Sequence, residues 1–470
     1  MPPSASASGA RRGVVAALAA ADVAFAFQQT AVLPVIPDIE RELHAPGAWG
    51  AWLLTGYLLV ATVATPLIGR LADRYGRRRL LLIGLVVFFA GSVGAALSPG
   101  FTVLVLFRAL QGVGGAVFPL SLSLIRQEFP GDRVGSTVGL LTGAFGLGTT
   151  LGFATSGALA AALTWRMVFA VGALVVGIAI PLVLLLVPAR AAPTGGRVDL
   201  PGAALLGTAL AALLVALTLA PQAAEGAEWL APVVLGALVM PAGWLWWRRE
   251  HSVDTPLVGV HVLRSPTELW TNGVTLVIGY ALFGAYYLVP QIVRDEQHGF
   301  GADTSLIGLY LLPSAIGQLL AGPAATRLQR SGSPRRPLAL GLTAMAAALV
   351  GFAVIRDQSV VGFLAAAFVL GCGAGLCISS SSTLVTLGTQ PENASVATAL
   401  NSTVRRVGGG IGSQAGAGIL IVAGTGTGAW ATAFAVGAVL AAAAVPAAAR
   451  LPLRPPPGGR SEPQPTDSTW

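Results

Sequence analysis

The sequence contains no lysine, and only 10% of its 470 residues are charged. A soluble protein of this size carries roughly 25% charged residues, so the composition excludes an ordinary soluble domain. Cysteine is also scarce: Cys372 and Cys377 alone exclude a disulfide framework, and no His or Cys cluster has the spacing of metal ligands. No G-x-x-x-x-G-K-[ST] phosphate loop is present, so nothing indicates nucleotide hydrolysis. We therefore expect no metal and no other cofactor.

Long apolar runs dominate instead, and 54% of the chain is hydrophobic. Each run is close to the roughly 20 residues that cross ~30 Å of hydrocarbon. The predicted spans are 14–36, 48–70, 79–98, 101–125, 134–160, 166–188, 199–220, 229–247, 269–292, 304–327, 336–355, 359–387, 394–424 and 428–449. The first run follows Arg11 and Arg12 like a secretory signal, but it is too long for one and many spans follow. The pattern predicts an all-α polytopic membrane protein with fourteen transmembrane helices.

The arginines indicate the orientation. An even number of spans places both termini on one side, and a cytoplasmic N-terminus leaves only Arg41, Arg166, Arg294 and Arg356 outside. The other arginines at span ends then face the cytoplasm, as the positive-inside rule requires. We expect a multi-pass protein of a bacterial plasma membrane with both termini cytoplasmic. The net charge of +8 follows from this bias and does not indicate nucleic acid as a partner.

Five arginines and one aspartate are crowded between the second and third spans. This stretch, Gly69–Arg79, reads as a short basic loop at a membrane face. A related stretch, Gly322–Arg327, follows the tenth span but has Thr326 where the first has Asp73. The aspartate is therefore not repeated.

The two stretches belong to an internal repeat. Gly112-Val113-Gly114 aligns with Gly371-Cys372-Gly373, and Gly148 and Gly152 align with Gly408 and Gly412. We predict two six-helix bundles with two inserted linker helices, and a site at their interface, which is the plan of alternating-access transporters. The predicted parts are an N-terminal tail (1–13), a first bundle (14–190), a linker (191–265), a second bundle (266–450) and a disordered tail (451–470).

Over nearly its whole length the chain resembles the major facilitator superfamily, and within it the fourteen-span drug:proton antiporter branch. The stretch from Gly69 to Arg78 matches the superfamily signature G-x-L-A-D-R-x-G-R-R at every position. The run Arg108–Gly115 resembles its fourth-helix motif, and Asn401–Gly409 resembles a late-helix segment of the branch. The resemblance implies a major facilitator fold and drug efflux coupled to protons.

Two positions depart from the branch. Its fifth-span signature, G-x-x-x-G-P-x-x-G-G, has Phe153 here in place of proline and Ser156 in place of a glycine. The first-span aspartate that the branch carries nine residues before Leu33-Pro34 is replaced by Phe25, and Asp22 lies about one turn earlier. The lost proline leaves proton-coupled uptake of a nutrient open as an alternative.

Charges inside a span cost at least ~2.5–3.5 kcal/mol each at the centre, so they point to function or to a partner. Asp22 is the candidate proton carrier, with Arg108 as its counter-charge and a direct pair as a hypothesis. The alternative is an aspartate that only reaches the cytoplasmic interface. The resemblance implies that Asp73 pairs with loop arginines and with a helix end of the other bundle, which would close the cytoplasmic side. The candidate gate residues are Gly69, Asp73, Arg74, Gly76, Arg77 and Arg78.

Polar residues within the spans are candidates for the wall of a substrate cavity, although helix–helix hydrogen bonding is the alternative for each. They are Gln28, Gln29, Thr30, Gln111, Asn272, Tyr280, Gln318, Asn401 and Arg405. For Arg405 the alternative is an anchor at the cytoplasmic interface. The family also links the glycines of the fifth span, Gly148, Gly152 and Gly157, to the bundle interface.

We expect a secondary active transporter, not an enzyme, that exports small lipophilic compounds such as drugs, antibiotics or secondary metabolites in exchange for protons. Its expected partners are the substrate, protons and the lipid bilayer, and we expect a monomer. A non-transporting membrane sensor is a distant alternative, but the sequence has no appended soluble domain for it.

Overall fold

A computed structural model describes residues 5–129, 131–189, 198–226, 229–253, 256–258, 266–330, 333–355, 358–389, 394–424 and 426–451. Every regular element within these ranges is a helix. The sixteen α-helices are α1 (Ala5–Ala31), α2 (Ile36–Glu42), α3 (Trp52–Tyr75), α4 (Arg77–Ala96), α5 (Phe101–Gln111), α6 (Val117–Glu128), α7 (Gly131–Ala162), α8 (Arg166–Leu186), α9 (Leu200–Gly226), α10 (Leu230–Ser252), α11 (Pro266–Arg294), α12 (Thr304–Arg330), α13 (Arg335–Ile355), α14 (Val360–Gly388), α15 (Ala394–Val422) and α16 (Thr427–Ala449). Thirteen helical stretches of the described chain are long and apolar enough to cross a membrane. The all-α polytopic fold class is confirmed.

The predicted span 394–424 corresponds to α15, which is long enough at 29 residues but is not among those thirteen. Asn401, Arg405, Arg406 and Gln414 lower its hydropathy. Because α15 packs against α3, α9 and α11, its polar positions are shielded by other helices. A helix in this position does not have to be apolar on every face to lie within the membrane.

Two predicted spans are broken helices. The first consists of α1 and α2 with a 3₁₀ turn, Leu33–Val35, between them. Pro34 lacks a backbone N–H, so the α-helical ladder cannot continue through this turn. The fourth consists of α5 and α6, separated by the 3₁₀ turn Gly112–Ala116. A Cβ at Gly112 would lie 2.5 Å from the Tyr57 carbonyl oxygen, so the glycine lets this turn approach α3.

The ends of the chain and the basic loop differ from the prediction. Residues 5–13, expected as part of a tail, belong to α1, while residues 1–4 and most of the predicted disordered tail, 452–470, lie outside the described residues. The loop expected over Gly69–Arg79 is a single residue, because α3 continues to Tyr75 and α4 begins at Arg77. Gly76 has a φ of 97°, which only glycine adopts without strain, and its N–H reaches the Ala72 carbonyl over 2.9 Å.

Helices α1–α8 pack mainly among themselves, as do α11–α16, and we call these sets the first half and the second half. The repeated glycines have matching surroundings: Gly148 of α7 packs against the Val23 carbonyl of α1, and Gly408 of α15 packs against the Leu276 carbonyl of α11. The halves meet through α7 with α12 and α3 with α15, and α9 packs on α10, α3 and α15. This is the predicted arrangement of two bundles with an inserted helix pair.

The two ends of the molecule differ in how closely the halves approach. We call the end that carries Gly76 the loop face and the opposite end the α2 face. Gly139, Gly146 and Gly157 of α7 lie within about 20° of one another on the helix, at 100° per residue. A Cβ at Gly157, near the α2 face, would overlap the Thr304 carbonyl oxygen of α12; at Gly146 it would lie 2.8 Å from Leu319; at Gly139, near the loop face, it would meet nothing within 4 Å. The helices α7 and α12 therefore diverge towards the loop face.

Candidate functional site

Asp22 lies in α1 and is fully buried inside the first half. The Ser121 hydroxyl of α6 donates a hydrogen bond to its Oδ1 atom over 2.9 Å, and its Oδ2 atom is buried with no partner. A buried carboxyl oxygen without a donor is costly, and such atoms concentrate where a group changes its protonation or binds something. Asp22 is thus a buried carboxyl group with one oxygen bonded and the other without a donor.

Arg108 is fully buried in α5 and is held by neutral groups. Its Nε donates to the Leu53 carbonyl over 3.0 Å, and its Nη1 donates to Gln111 over 2.5 Å. The guanidinium carbon lies 4.9 Å from the centre of the Tyr57 ring, while Nη2 has no partner. The Gln111 amide continues the chain of bonds to Ser92 over 2.9 Å. These contacts fix the guanidinium in one orientation.

The hypothesis of a direct pair between Asp22 and Arg108 is not supported by this structure. Within the part of the chain that the structure describes, no ion pair of 4.0 Å or less joins them. Arg108 is instead oriented towards α3 and α4, and Asp22 towards α6. Sequence spacing along separate helices could not reveal this, because the broken fourth span redirects its second part.

The predicted gate residues lie at the loop face and contact the first half. Asp73 pairs with Arg77, four residues later, over 3.6 Å, and half of its side chain is exposed. Arg77 also donates to the Ser123 carbonyl over 3.5 Å, and Arg78 donates to the Leu184 carbonyl over 2.5 Å. The implied contact between Asp73 and a helix end of the other bundle does not occur here, within the described residues. The divergence of α7 and α12 at this end agrees with a gate that is not engaged.

The remaining gate residues play local roles. The Arg74 guanidinium lies over the Tyr75 ring, 5.1 Å from its centre. A Cβ added at Gly69 would meet no atom within 4 Å. Arg70 of the same stretch donates to the Pro256 carbonyl over 2.7 Å. Through this bond the linker between α10 and α11 contacts the loop face.

Four candidate cavity residues lie in the first half, and three of them are buried inside it. The Thr30 hydroxyl bonds to the Ala26 and Thr149 carbonyls, over 3.0 and 3.2 Å, and so joins α1 to α7. Gln28 is buried against Gly172 of α8, with both atoms of its amide group unpartnered. Gln111 belongs to the Arg108 chain described above. Only Gln29 is half-buried, without a side-chain hydrogen bond in the described structure.

Two candidates of the second half form a polar cluster between α11, α14 and α15. The Asn401 amide donates to Thr275 over 2.8 Å and to Asn272 over 3.2 Å, and Ser381 donates to Asn401 over 3.3 Å. Asn272 also donates to the Glu268 carbonyl over 2.9 Å. Helix–helix hydrogen bonding, the alternative weighed for these residues, is what this structure contains.

Glu268 was missed because the ninth span was predicted to begin one residue after it. In the structure α11 begins at Pro266, and Glu268 is buried and accepts a hydrogen bond from Thr389, the residue that follows α14. Glu268 is therefore a second buried carboxylate, but it lies in the first turn of α11 and not well inside a span as Asp22 does. The acidic residue in the first turn of a helix would have been a usable signal, because carboxylates are favoured there.

The other candidates of the second half are half-buried: Tyr280 in α11, Gln318 in α12 and Arg405 in α15. Tyr280 faces Leu349 and Gly437 inside the second half. Arg405 forms no ion pair and no side-chain hydrogen bond in the described structure.

Its neighbour Arg406 instead crosses between the halves. It donates to Thr65 of α3 over 2.9 Å and to the Ala61 and Gly115 carbonyls over 3.4 and 3.3 Å. Only Arg405 was singled out from the sequence, since it matches the family segment. The structure gives Arg406 the contacts across the interface.

The three glycines of α7 have two different roles. A Cβ at Gly148 would lie 2.5 Å from the Val23 carbonyl, and one at Gly152 would lie 2.8 Å from the Phe27 carbonyl, so both allow α7 to approach α1. Gly157 alone of the three faces the second half, where its Cβ would lie 2.9 Å from the Ser305 carbonyl oxygen. Only Gly157 therefore lies at the interface between the halves.

Carboxylates of α2 join the halves at the α2 face. Glu40 accepts hydrogen bonds from the Tyr287 hydroxyl over 3.2 Å and from the Gln291 amide, both in α11. Asp38 accepts a hydrogen bond from Thr304 of α12 and pairs with Arg294 over 3.5 Å. We call Asp38 and Glu40 with these partners the α2 clasp.

The third carboxylate of α2 contacts the first half. Glu42 pairs with Arg166 over 2.6 Å and accepts a hydrogen bond from the Trp165 indole over 2.8 Å, so it attaches α2 to α8. The short helix thus bridges both halves. In the sequence these three acids lie between the first two predicted spans, outside the apolar runs.

Asp22 and Arg108 are both buried, and each lies in a span that is interrupted by a 3₁₀ turn. Buried charges in broken helices of a two-half helical bundle are typical of membrane transporters. The model of the Major Facilitator Superfamily matches residues 18–413 and again 306–468, and the chain belongs to this superfamily, whose members are transporters and not enzymes. The chain is 28% identical to the tetracenomycin C resistance and export protein of Streptomyces glaucescens, over 83% of this chain and 72% of the relative. It is 29% identical to the methylenomycin A resistance protein of Streptomyces coelicolor, over 87% and 86%, and 28% identical to a multidrug resistance protein B homolog of Mycobacterium tuberculosis, over 77% and 67%.

Proposed function

We propose that this protein exports a small lipophilic compound across a bacterial plasma membrane in exchange for protons. The observation that carries the proposal is Asp22, a fully buried carboxylate whose Oδ2 atom has no partner. The named relatives are resistance and export proteins, which supports export as the direction. No compound named for a relative is assigned to this chain.

The proposed orientation places the loop face in the cytoplasm. The arginine-rich turn around Gly76 favours this side through the positive-inside rule. The α2 face is then extracytoplasmic, and the divergence of α7 and α12 corresponds to a transporter open towards the cytoplasm. We propose that the first and second bundles, predicted at 14–190 and 266–450, alternate as two bodies and that the protein acts as a monomer.

In the proposed cycle Asp22 carries the proton. Ser121 holds its Oδ1 atom while Oδ2 is available for protonation. Arg108, fixed by Leu53 and Gln111, supplies a positive charge in the same half. The loop-face gate around Asp73 would engage in the opposite state, where α7 and α12 approach each other at the cytoplasmic end.

The proton gradient supplies enough energy for this work. One charge crossing 100 mV contributes about 2.3 kcal/mol, or roughly a fiftyfold concentration ratio per proton. A buried carboxylate that exchanges its proton between the two sides is sufficient to use it.

Everted membrane vesicles test this function. On energisation they should accumulate a lipophilic dye and release protons when the dye is added. Asp22→Asn should abolish both, because the amide cannot carry a proton, while the protein level and thermal unfolding stay unchanged. Asp303→Asn, an equal change at an exposed position, is the matched control. Unchanged proton exchange in the Asp22 variant would rule out Asp22 as the carrier.

Proton-coupled uptake is the second candidate, because Phe153 occupies the place of the branch's proline in α7. In the structure its ring packs edge-on against Tyr286 at 5.6 Å, across the interface between the halves. The same vesicles separate the two directions: an uptake symporter would lose substrate on energisation instead of accumulating it.

A further inference from the structure

Three arginines lie in the middle parts of the membrane helices without a carboxylate partner. Arg108 belongs to α5, and Arg405 and Arg406 belong to α15. Within the described residues none of them is within 4.0 Å of a carboxylate. Charged side chains at this depth normally pair with one another or line a polar cavity. The three positive charges are therefore uncompensated.

The nearby buried carboxylates are engaged elsewhere. Asp22 accepts its hydrogen bond from Ser121, and Glu268 accepts one from Thr389 at the loop-face end of α11. The groups that do contact Arg108 and Arg406 are neutral carbonyls, an amide and hydroxyls. Neutral acceptors satisfy the geometry of a guanidinium but leave its charge in place.

Tyr57 of α3 lies between two of these arginines. Its ring is 4.9 Å from the guanidinium carbon of Arg108, and it is also close enough to Arg406 for an electrostatic interaction. The Tyr57 hydroxyl and the Arg108 Nη2 atom are both buried without a partner. Both are hydrogen-bond donors, so what is missing around them is an acceptor. Arg405 adds a third donor group next to Arg406 without a bond of its own.

A depression between α3, α9 and α15 adjoins Arg406. Apart from Thr62 its wall is apolar, formed by residues that include Leu59, Leu210, Leu214 and Ile411. A ligand with an acidic group could accept hydrogen bonds from the arginines while its apolar part lies along this wall. Guanidinium groups bind carboxylates and similar planar anions with paired, charge-assisted hydrogen bonds.

We propose that Arg405 and Arg406, with Tyr57 and the charge of Arg108, bind an acidic group of the transported compound. The substrate class is then the lipophilic organic anions, such as aromatic carboxylates, sulfonates or ionised phenols. This proposal rests on the proposed function as an exporter. It also implies that one cycle, with one proton moving in and one anion moving out, transfers two elementary charges.

A matched pair of fluorescent probes tests the preference for an anion. 8-Anilinonaphthalene-1-sulfonate and N-phenyl-1-naphthylamine share their ring system, but only the first carries a negative charge. Binding of each to the purified full chain in lipid nanodiscs is measured by titration, with protein-free nanodiscs subtracted. We expect the sulfonate to bind at least about tenfold more tightly. Equal or tighter binding of the neutral probe would overturn the proposal.

Variants of Arg405 and Arg406 test whether these arginines cause the preference for the anionic probe. Arg405→Gln with Arg406→Gln should remove it while binding of the neutral probe stays unchanged, which also shows that the variant is folded. Arg327→Gln with Arg336→Gln, two exposed arginines at the loop-face ends of α12 and α13, is the control of equal charge change and should keep the preference. If the double variant retains the preference, the arginines do not bind the acidic group.

The outcome is separable from that of the proposed function. Binding needs no proton gradient, so an anion preference without proton exchange in vesicles would reject the exporter and keep the site. Proton-coupled transport of neutral compounds without an anion preference would reject the site and keep the exporter.

Discussion

The α2 face and the loop face are two ends of the same interface, and they are held by different chemistry. At the α2 face charged and hydroxyl groups join the halves, and Gly157 lets the backbones of α7 and α12 touch. At the loop face Arg77 and Arg78 bond to their own half and Arg70 bonds to the linker, and Gly139 faces empty space on the same side of α7. The contrast shows that one end is closed by specific contacts while the other is separated, as alternating access requires.

The separation of the halves at each end can be measured with two pairs of spin labels. The labels are attached to cysteines introduced into a chain whose native Cys372 and Cys377 are replaced. Leu97 and Val361 are exposed at the α2 face, one in each half. Tyr75 and Leu387 are the equivalent exposed positions at the loop face. Distances within each pair measure how far each end is open.

The largest effect is expected from Gly157→Ala. The added methyl group would overlap the backbone carbonyl of Thr304, and overpacking of this kind costs about 1–3 kcal/mol. The population with the α2 face open should rise by about fivefold to a hundredfold, seen as a longer Leu97–Val361 distance. Gly139→Ala, five turns away on the same face of α7, is the control and should change neither distance. Equal behaviour of the two variants would mean that the α7–α12 contact does not decide the state.

A smaller effect is expected from breaking the α2 clasp with Asp38→Asn and Glu40→Gln together. Neutral amides keep the size of the carboxylates but lose the charge, and hydrogen bonds to charged groups are about twice as strong. We expect the open population at the α2 face to rise about tenfold in the same distance measurement. Glu42→Gln is the matched control, because the bonds of Glu42 to described residues go to Trp165 and Arg166 of its own half. A shift of similar size in the control would mean that the negative charge of α2, and not its bonds across the interface, matters.

The smallest effect on this structure is expected from Asp73→Asn. Its pair with Arg77 is exposed and 3.6 Å long, and such pairs contribute about 0.5 kcal/mol or less. Thermal unfolding should therefore be nearly unchanged, while transport in vesicles should slow because the gate of the opposite state is lost. A clear loss of stability would reveal contacts of Asp73 in the present state; unchanged transport would make it a topological anchor only.

The sequence predicted the class of fold because length and hydropathy are local properties that the membrane enforces. It also predicted that Asp22 and Arg108 are buried, since both lie several residues inside apolar runs. It did not predict their partners: Ser121 follows a 3₁₀ turn that sequence periodicity does not reveal, and Tyr57 is one aromatic among many. Likewise Arg405 and Arg406 are adjacent, and only packing against α3 decides which of them crosses the interface.

The same reasoning applies to the loop. Five arginines in eleven residues indicate a membrane face, but the one-residue turn depends on the backbone of Gly76, which composition does not specify. The contacts of Asp38 and Glu40 could not be predicted from the sequence for a further reason. Their partners, Tyr287, Gln291, Thr304 and Arg294, lie some 250 residues away in the chain.

The 3₁₀ turn at Leu33–Val35 has a mechanical consequence for this arrangement. A continuous helix transmits a tilt along its whole length, so any pull on α2 would also displace Asp22 some fifteen residues earlier. With the ladder interrupted at Pro34, α2 can rotate about an elbow while α1 keeps its packing against α7 and α8. The break at Pro34 therefore allows α2 to move at the α2 face while Asp22 keeps its position in α1.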